Sequence, residues 1–225
     1  MTTRSSSHHW HDKPGSFDAL HTDCTFANDG NPYHIPTVPH APLSYTPQWL
    51  APYRARIRTR QGMAGGAVHF FLDDYRFESV WTRPHKAHSY LSRFRTLLTP
   101  DFSVYPEWPR AAQIWNTYRA RWCGAYWASL GFQVIPTVSW ADAASFEFCF
   151  AGIVPHSMVA ISSVGIRGAS SALFSSGFRE MLVRLRPSRV LCYGKLPADL
   201  ADLVDVRCYE TRWDAIMQER AERGR

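Results

Sequence analysis

Between Val68 and Glu210 short apolar runs end in polar or acidic residues and alternate with helix-like segments, a repeat that few folds accommodate. The run ends read Phe71-Leu72-Asp73-Asp74, Leu98-Thr99-Pro100-Asp101, Ile135-Pro136-Thr137-Val138-Ser139-Trp140, Val159-Ala160-Ile161-Ser162-Ser163 and Val190-Leu191-Cys192-Tyr193-Gly194. Strands alternating with helices imply parallel pairing through right-handed crossovers. A parallel sheet gathers the carboxyl ends of its strands on one face, where ligands bind. The pattern therefore points to a site without naming its chemistry.

The individual elements follow from periodicity and punctuation. Expected strands cover 67–72, 96–98, 132–138, 158–162, 189–193 and 204–209, six in all. The segment 76–95 reads as helical with an interruption at Pro84. Pro109 stands where a first helical residue belongs, Ala111, Trp115, Tyr118, Trp122 and Tyr126 recur at helical spacing, and Gly131 follows as a stop. A short helical segment is expected over 142–149, a further helix carries Phe178, Met181, Leu182 and Leu185 up to Pro187, and a last one starts near Trp213. Thr211 and Asp214 have the spacing of a capping box there. The fold class is thus α/β, with about six mainly parallel strands in either an incomplete TIM-barrel-like arrangement or an open doubly wound sheet. Residues 1–52 read as an irregular Pro-rich arm, since seven prolines fall between Pro14 and Pro52. Residues 53–210 form the α/β domain and 211–225 a C-terminal helix.

Composition limits partners and compartment. The 225 residues carry a formal net charge of +6, which suits an anionic partner and serves solubility equally. Cys24, Cys123, Cys149, Cys192 and Cys208 are odd in number and widely spaced, as expected in a reducing cytoplasm. Cys149 and Cys192 lie in apolar runs and read as small buried hydrophobes. No apolar stretch is long enough for a membrane span. His8, His9, His11 and Asp12 are metal-ligand types without recognised spacing, so no metal is assigned to them. His69 reads as a core histidine, and Glu147, between Phe146 and Phe148, as a buried carboxylate in need of an arginine.

The clearest charge pattern is Tyr53-Arg54-Ala55-Arg56-Ile57-Arg58-Thr59-Arg60. As a strand it sets Arg54, Arg56, Arg58 and Arg60 on one face, a row suited to phosphates. The alternative is a charged edge strand or a solvated linker. Arg119 and Arg121 are further surface candidates for phosphate contact. Recognised duplex-reading motifs are absent, which favours single-stranded nucleic acid over a sequence-specific duplex.

Asp73, Asp74 and Asp101 leave adjacent strand ends and are the candidate catalytic carboxylates, able to bind a divalent metal or to divide acid and base roles. Arg76, Ser103, Tyr105, Asn116, Arg119, Trp140 and Tyr193 are the candidate substrate contacts. The competing reading is that these aspartates cap turns and helices. Serine hydrolase and zinc peptidase motifs are missing.

Several segments together carry a family likeness: Phe70 through Glu78, Thr99 through Ser103, Gln113 through Arg119 and Val134 through Trp140. They resemble an uncharacterised domain-of-unknown-function family (DUF4417-like) of phages, plasmids and integrative elements, over roughly 43–209. The resemblance implies a mobile-DNA setting and no established activity. Two functional classes are weighed, and the mobile-DNA setting together with the charge favours the first. One is a phage or mobile-element accessory protein associated with nucleic acid through the arginine run. The other is a carboxylate-dependent, barrel-like hydrolase acting on a small or carbohydrate-like substrate. An interaction protein using the aromatic arm is the third.

Overall fold

The structure is a computed structural model that describes residues 19–55, 63–166, 168–211 and 213–214. Among the described residues seven strands are present: β1 Trp49–Pro52, β2 Gly66–His69, β3 Thr96–Leu98, β4 Gln133–Ile135, β5 Val159–Ser162, β6 Val190–Tyr193 and β7 Val206–Tyr209. Six fall where the sequence places them. The seventh, β1, lies inside the Pro-rich segment and pairs in parallel with β2, Ala51 opposite Val68. Pro52 is tolerated there because β1 is an edge strand.

All ladders are parallel and run in chain order, β1-β2-β3-β4 in one sheet and β5-β6-β7 in the other. An isolated bridge from Thr137 to Ala160 links the two. Among the described residues no ladder returns from β7 to β1, so the arrangement is open and no closed barrel forms. Those edges meet through side chains: the Tyr209 hydroxyl donates to Pro47 O at 2.7 Å and Arg207 to Gln48 O at 3.3 Å.

Helices α1 (Ser79–Thr82), α2 (Pro84–Leu91), α3 (Arg110–Ser129), α4 (Ala169–Leu185) and α5 (Ala198–Ala201) fill the crossovers. Strand alternation then sorts the core. Val68, Leu97 and Val134 pack with Trp81, Trp122 and Trp127 of the helices. Val159, Ile161, Val190 and Cys192 pack with Phe178, Met181 and Leu185 of α4. The intervening residues Ala67, Leu98, Ile135, Met158, Ala160, Leu191 and Tyr193 form a third cluster shared by both sheets. Every strand of the central region is thus covered on both faces, which is why these runs are continuously apolar.

α3 is the longest helix and supports the site. It begins after Pro109 and ends in a Schellman turn, with Phe132 N–H to Trp127 O at 3.2 Å and Gly131 N–H to Ala128 O at 3.0 Å. Gly131 has φ +90°, a conformation glycine adopts at little cost. Its centre is buried nearly all round, including Asn116, Arg119 and Arg121.

Candidate functional site

The carboxyl ends of β2, β3, β4 and β5 open onto a cleft of about 850 Å³. Asp73 and Arg76 reach it from the segment after β2, Asp101, Ser103 and Tyr105 from that after β3, Ser139 and Trp140 from that after β4, and Ser162 from β5 itself. Where the β3–β4 ladder stops, two threonines extend it: Thr137 N–H donates to Thr99 Oγ1 at 2.8 Å and the Thr137 hydroxyl to Thr99 O at 2.7 Å. These bonds place Asp101 and Ser139, each two residues further on, side by side.

Asp101 is the most perturbed acid of the cleft. Ser139 Oγ donates to its Oδ1. Loss of water around the carboxyl pushes its pKa up to about 6, a rise the Ser139 bond opposes, the Asp74 charge adds to and the Arg121 charge opposes. At neutral pH the group is mostly ionised and exchanges its proton readily. That is the property a general acid or base needs.

The other candidates divide into those that line the cleft and those that hold it. Asp73 is exposed at the start of the 3-10 turn Asp74–Arg76 and makes no side-chain cap bond. Asp74 lies outside the lining: its carboxylate accepts from Ser103 Oγ at 2.8 Å and from Ser103 N–H at 3.1 Å. Asn116 donates to Ser103 O at 2.7 Å and accepts from Arg119 at 2.7 Å, and Arg119 pairs with Glu78 at 2.7 Å. The Arg119 guanidinium lies 3.8 Å over the Phe102 ring. Asp74, Asn116 and Arg119 therefore fix the segment 101–103 from behind, Asp74 holding a neighbouring loop and not capping its own turn. Tyr193 also sits beneath the surface, stacked on Phe71, whose ring faces the cleft.

Several expectations change. No group of three metal-ligating side chains occurs among the described residues, so Asp73, Asp74 and Asp101 do not assemble a cation site. At the start of the Arg row no strand is present: β1 stops at Pro52, Tyr53 and Arg54 form a turn, and Arg54 has φ +59°. A turn follows because Tyr53 is drawn into the core beside Phe70. Arg56, Arg58 and Arg60 lie outside the described residues. Arg119 and Arg121 are buried, not surface, cations. Glu147 is exposed, and its arginine partner is Arg110 at 2.7 Å. A 3-10 turn over Ala143–Glu147 points the residue outward while Phe146 and Phe148 stay inside.

His69 is a core histidine as expected. Burial drives its pKa down to about 3, and its Nδ1 accepts from Phe71 N–H at 3.2 Å. Cys149 and Cys192 are buried thiols pushed up to about 12 by loss of hydration, unsuited to nucleophilic work.

Sequence reasoning missed Ser139, Glu107, Phe71, Ser162 and Phe174 as cleft residues. Ser139 stands two residues after Thr137, as Asp101 stands two after Thr99, a correspondence that only the Thr99–Thr137 bonds reveal. Phe174 comes from the first turns of α4 and carries no local signal.

A family model described as Domain of unknown function (DUF4417) matches residues 27–210. The Gene 1 protein of Mycobacterium phage L5 is 47% identical over 216 residues, 94% of this chain and 93% of that protein. The Gene 1 protein of Mycobacterium phage D29 is 46% identical over 216 residues, 94% of this chain and 78% of that protein. No solved structure matches.

Proposed function

We propose that this chain, which belongs to the family described as Domain of unknown function (DUF4417), is a phage accessory hydrolase acting on a neutral, hydroxyl-rich substrate. One observation carries the reading: a carboxyl with a pKa of about 6, bonded to Ser139, faces a strand-end cleft. Among the described residues the lining supplies Asp73, Asp101 and Glu107 beside Arg76. The three carboxylates offer acceptors to sugar hydroxyls. Trp140 and Tyr105 add the aromatic faces on which pyranose rings pack. Asp101 is the proton-exchanging residue and Asp73 the second carboxylate.

The test is release of reducing ends from a panel of neutral polysaccharides by wild type and Asp101→Asn. Activity on an acidic limb below about pH 6, lost in the folded variant, supports the reading. Equal activity in both proteins removes Asp101 from it, and no release by wild type from any member removes the substrate class.

A second reading, association with single-stranded nucleic acid, is favoured by the exposed Arg54 and the three arginines that follow it.

A further inference from the structure

Arg121 is an anomaly in any account that stops at the cleft lining. Its side chain is almost wholly buried, and no carboxylate among the described residues pairs with it. A buried cation of this kind persists only when its donors are satisfied. Here all three nitrogens donate to main-chain carbonyls: Nη1 to Thr137 O at 2.8 Å, Nη2 to Cys149 O at 2.9 Å and Nε to Ala151 O at 3.2 Å. The planar fork of arginine spans three acceptors, which a lysine ammonium on a single stem does not.

The acceptors are not scattered. Thr137 is the residue that carries both bonds to Thr99 and stands two before Ser139. Cys149 and Ala151 follow the turn that packs against α4, whose Phe174 lines the cleft. One side chain of α3 thereby joins three segments from below the site. It leaves a positive charge in a dry region from which Asp101 feels it.

We propose that Arg121 is the positioning residue of the cleft: its buried guanidinium fixes Thr137, and with it Ser139 and Asp101, and supplies the counter-charge that Asp101 faces. The proposal rests on the reading of the cleft as the functional site. The other charged groups around Asp101 are Asp74, on the turn after β2, and Asp73, Arg76 and Glu107 in the lining.

The test follows the Asp101 carboxyl by carbon-13 NMR as pH is varied, in wild type, Arg121→Gln and Arg121→Lys, with near-ultraviolet circular dichroism as the check on folding. Without the cation the Asp101 midpoint rises by about one pH unit in Arg121→Gln. In Arg121→Lys it moves less, while the Ser139 amide resonance shifts because the clamp on Thr137 is lost. An unmoved midpoint in a folded Arg121→Gln protein overturns the proposal. Should that variant not fold, wild type decides. A midpoint constant between about 0.05 and about 1 M salt marks a buried counter-charge, because only exposed charges are screened. A midpoint that rises with salt, and equally in Arg76→Gln, assigns the counter-charge to Arg76 and overturns it. No substrate enters these measurements, so failure of the polysaccharide panel and failure of this proposal are separate results.

Discussion

At the scale of single residues two of the shifted titratable groups, His69 and Asp101, have opposite consequences for stability. His69 is neutral when folded down to about pH 3 and protonates near 6.5 when unfolded. Its contribution is therefore complete above about pH 6.5 and is lost as pH falls, by up to about 5 kcal/mol below pH 3. Asp101 works the other way. Its folded pKa of about 6 exceeds the unfolded value of 3.8, so folding binds the proton more tightly and the cost of ionisation accrues as pH rises between the two. Asp101→Asn, which keeps an acceptor for Ser139, raises stability above pH 6 by about 1–2 kcal/mol while abolishing proton exchange. Urea unfolding at pH 5 and pH 7.5 measures both. His69→Phe flattens the acid loss, and Asp101→Asn gains more at pH 7.5 than at pH 5. A fall in the stability of Asp101→Asn at pH 7.5 contradicts the desolvated carboxyl.

At the scale of elements, the site is held by close approach between α3, α4 and the strand ends. Gly124 of α3 lies where a Cβ would come within 2.6 Å of Thr99 Cγ2 and 2.8 Å of Val38 Cγ2. Gly124→Ala should destabilise by about 1–3 kcal/mol through overpacking, despite the better helix propensity of alanine. Because Thr99 anchors Thr137, the same change displaces Asp101 and is expected to broaden its NMR titration. Gly177 of α4 stands against the Trp140 indole, which any Cβ there would strike. Gly177→Ala therefore alters the cleft wall, read as a changed tryptophan emission maximum in a folded protein.

Much of this level was legible in the sequence. Pro109 and Gly131 bracket α3 almost to the residue, because a proline start and a left-handed glycine end are local chemistry. The Thr211–Asp214 box forms as read, with Thr211 N–H to Asp214 Oδ2 at 3.0 Å and Asp214 N–H to Thr211 Oγ1 at 3.1 Å. β1 was not legible, since Trp49–Pro52 has no alternation and a proline, and only its partner β2 makes it a strand. At Tyr53 and Arg54 the converse holds: local alternation favours a strand, and burial of Tyr53 imposes a turn. Arg121 reads as a surface charge until it is placed on the face of α3 that also carries Thr117, Ala120 and Gly124. Small residues on one helix face mark close packing, so a cation among them is buried.

Across the whole molecule, charge and shape point in different directions. The chain carries +6, while the described residues of the cleft lining include three carboxylates and one arginine. If the run from Arg54 to Arg60 meets nucleic acid, changing its four arginines to alanine removes salt-sensitive anisotropy of labelled single-stranded DNA. The Asp101 titration then stays as in wild type. Loss of both together would mean that the basic run and the cleft are one surface. The chain-order parallel strands gather Asp73, Asp101, Ser103, Ser139 and Trp140 at one edge. Asp74, Asn116 and Arg119 stand behind that edge and hold Ser103 and one another through hydrogen bonds and the Glu78 ion pair.

The account turns on Asp101 being a proton-exchanging carboxyl at the foot of that cleft. The most direct measurement is the carbon-13 NMR titration of its side chain in the unmodified protein, assigned by comparison with Asp101→Asn. A midpoint near pH 6 is the predicted result. A midpoint near 4, the value of an ordinary solvated aspartate, would contradict it and leave the cleft without an acid or base.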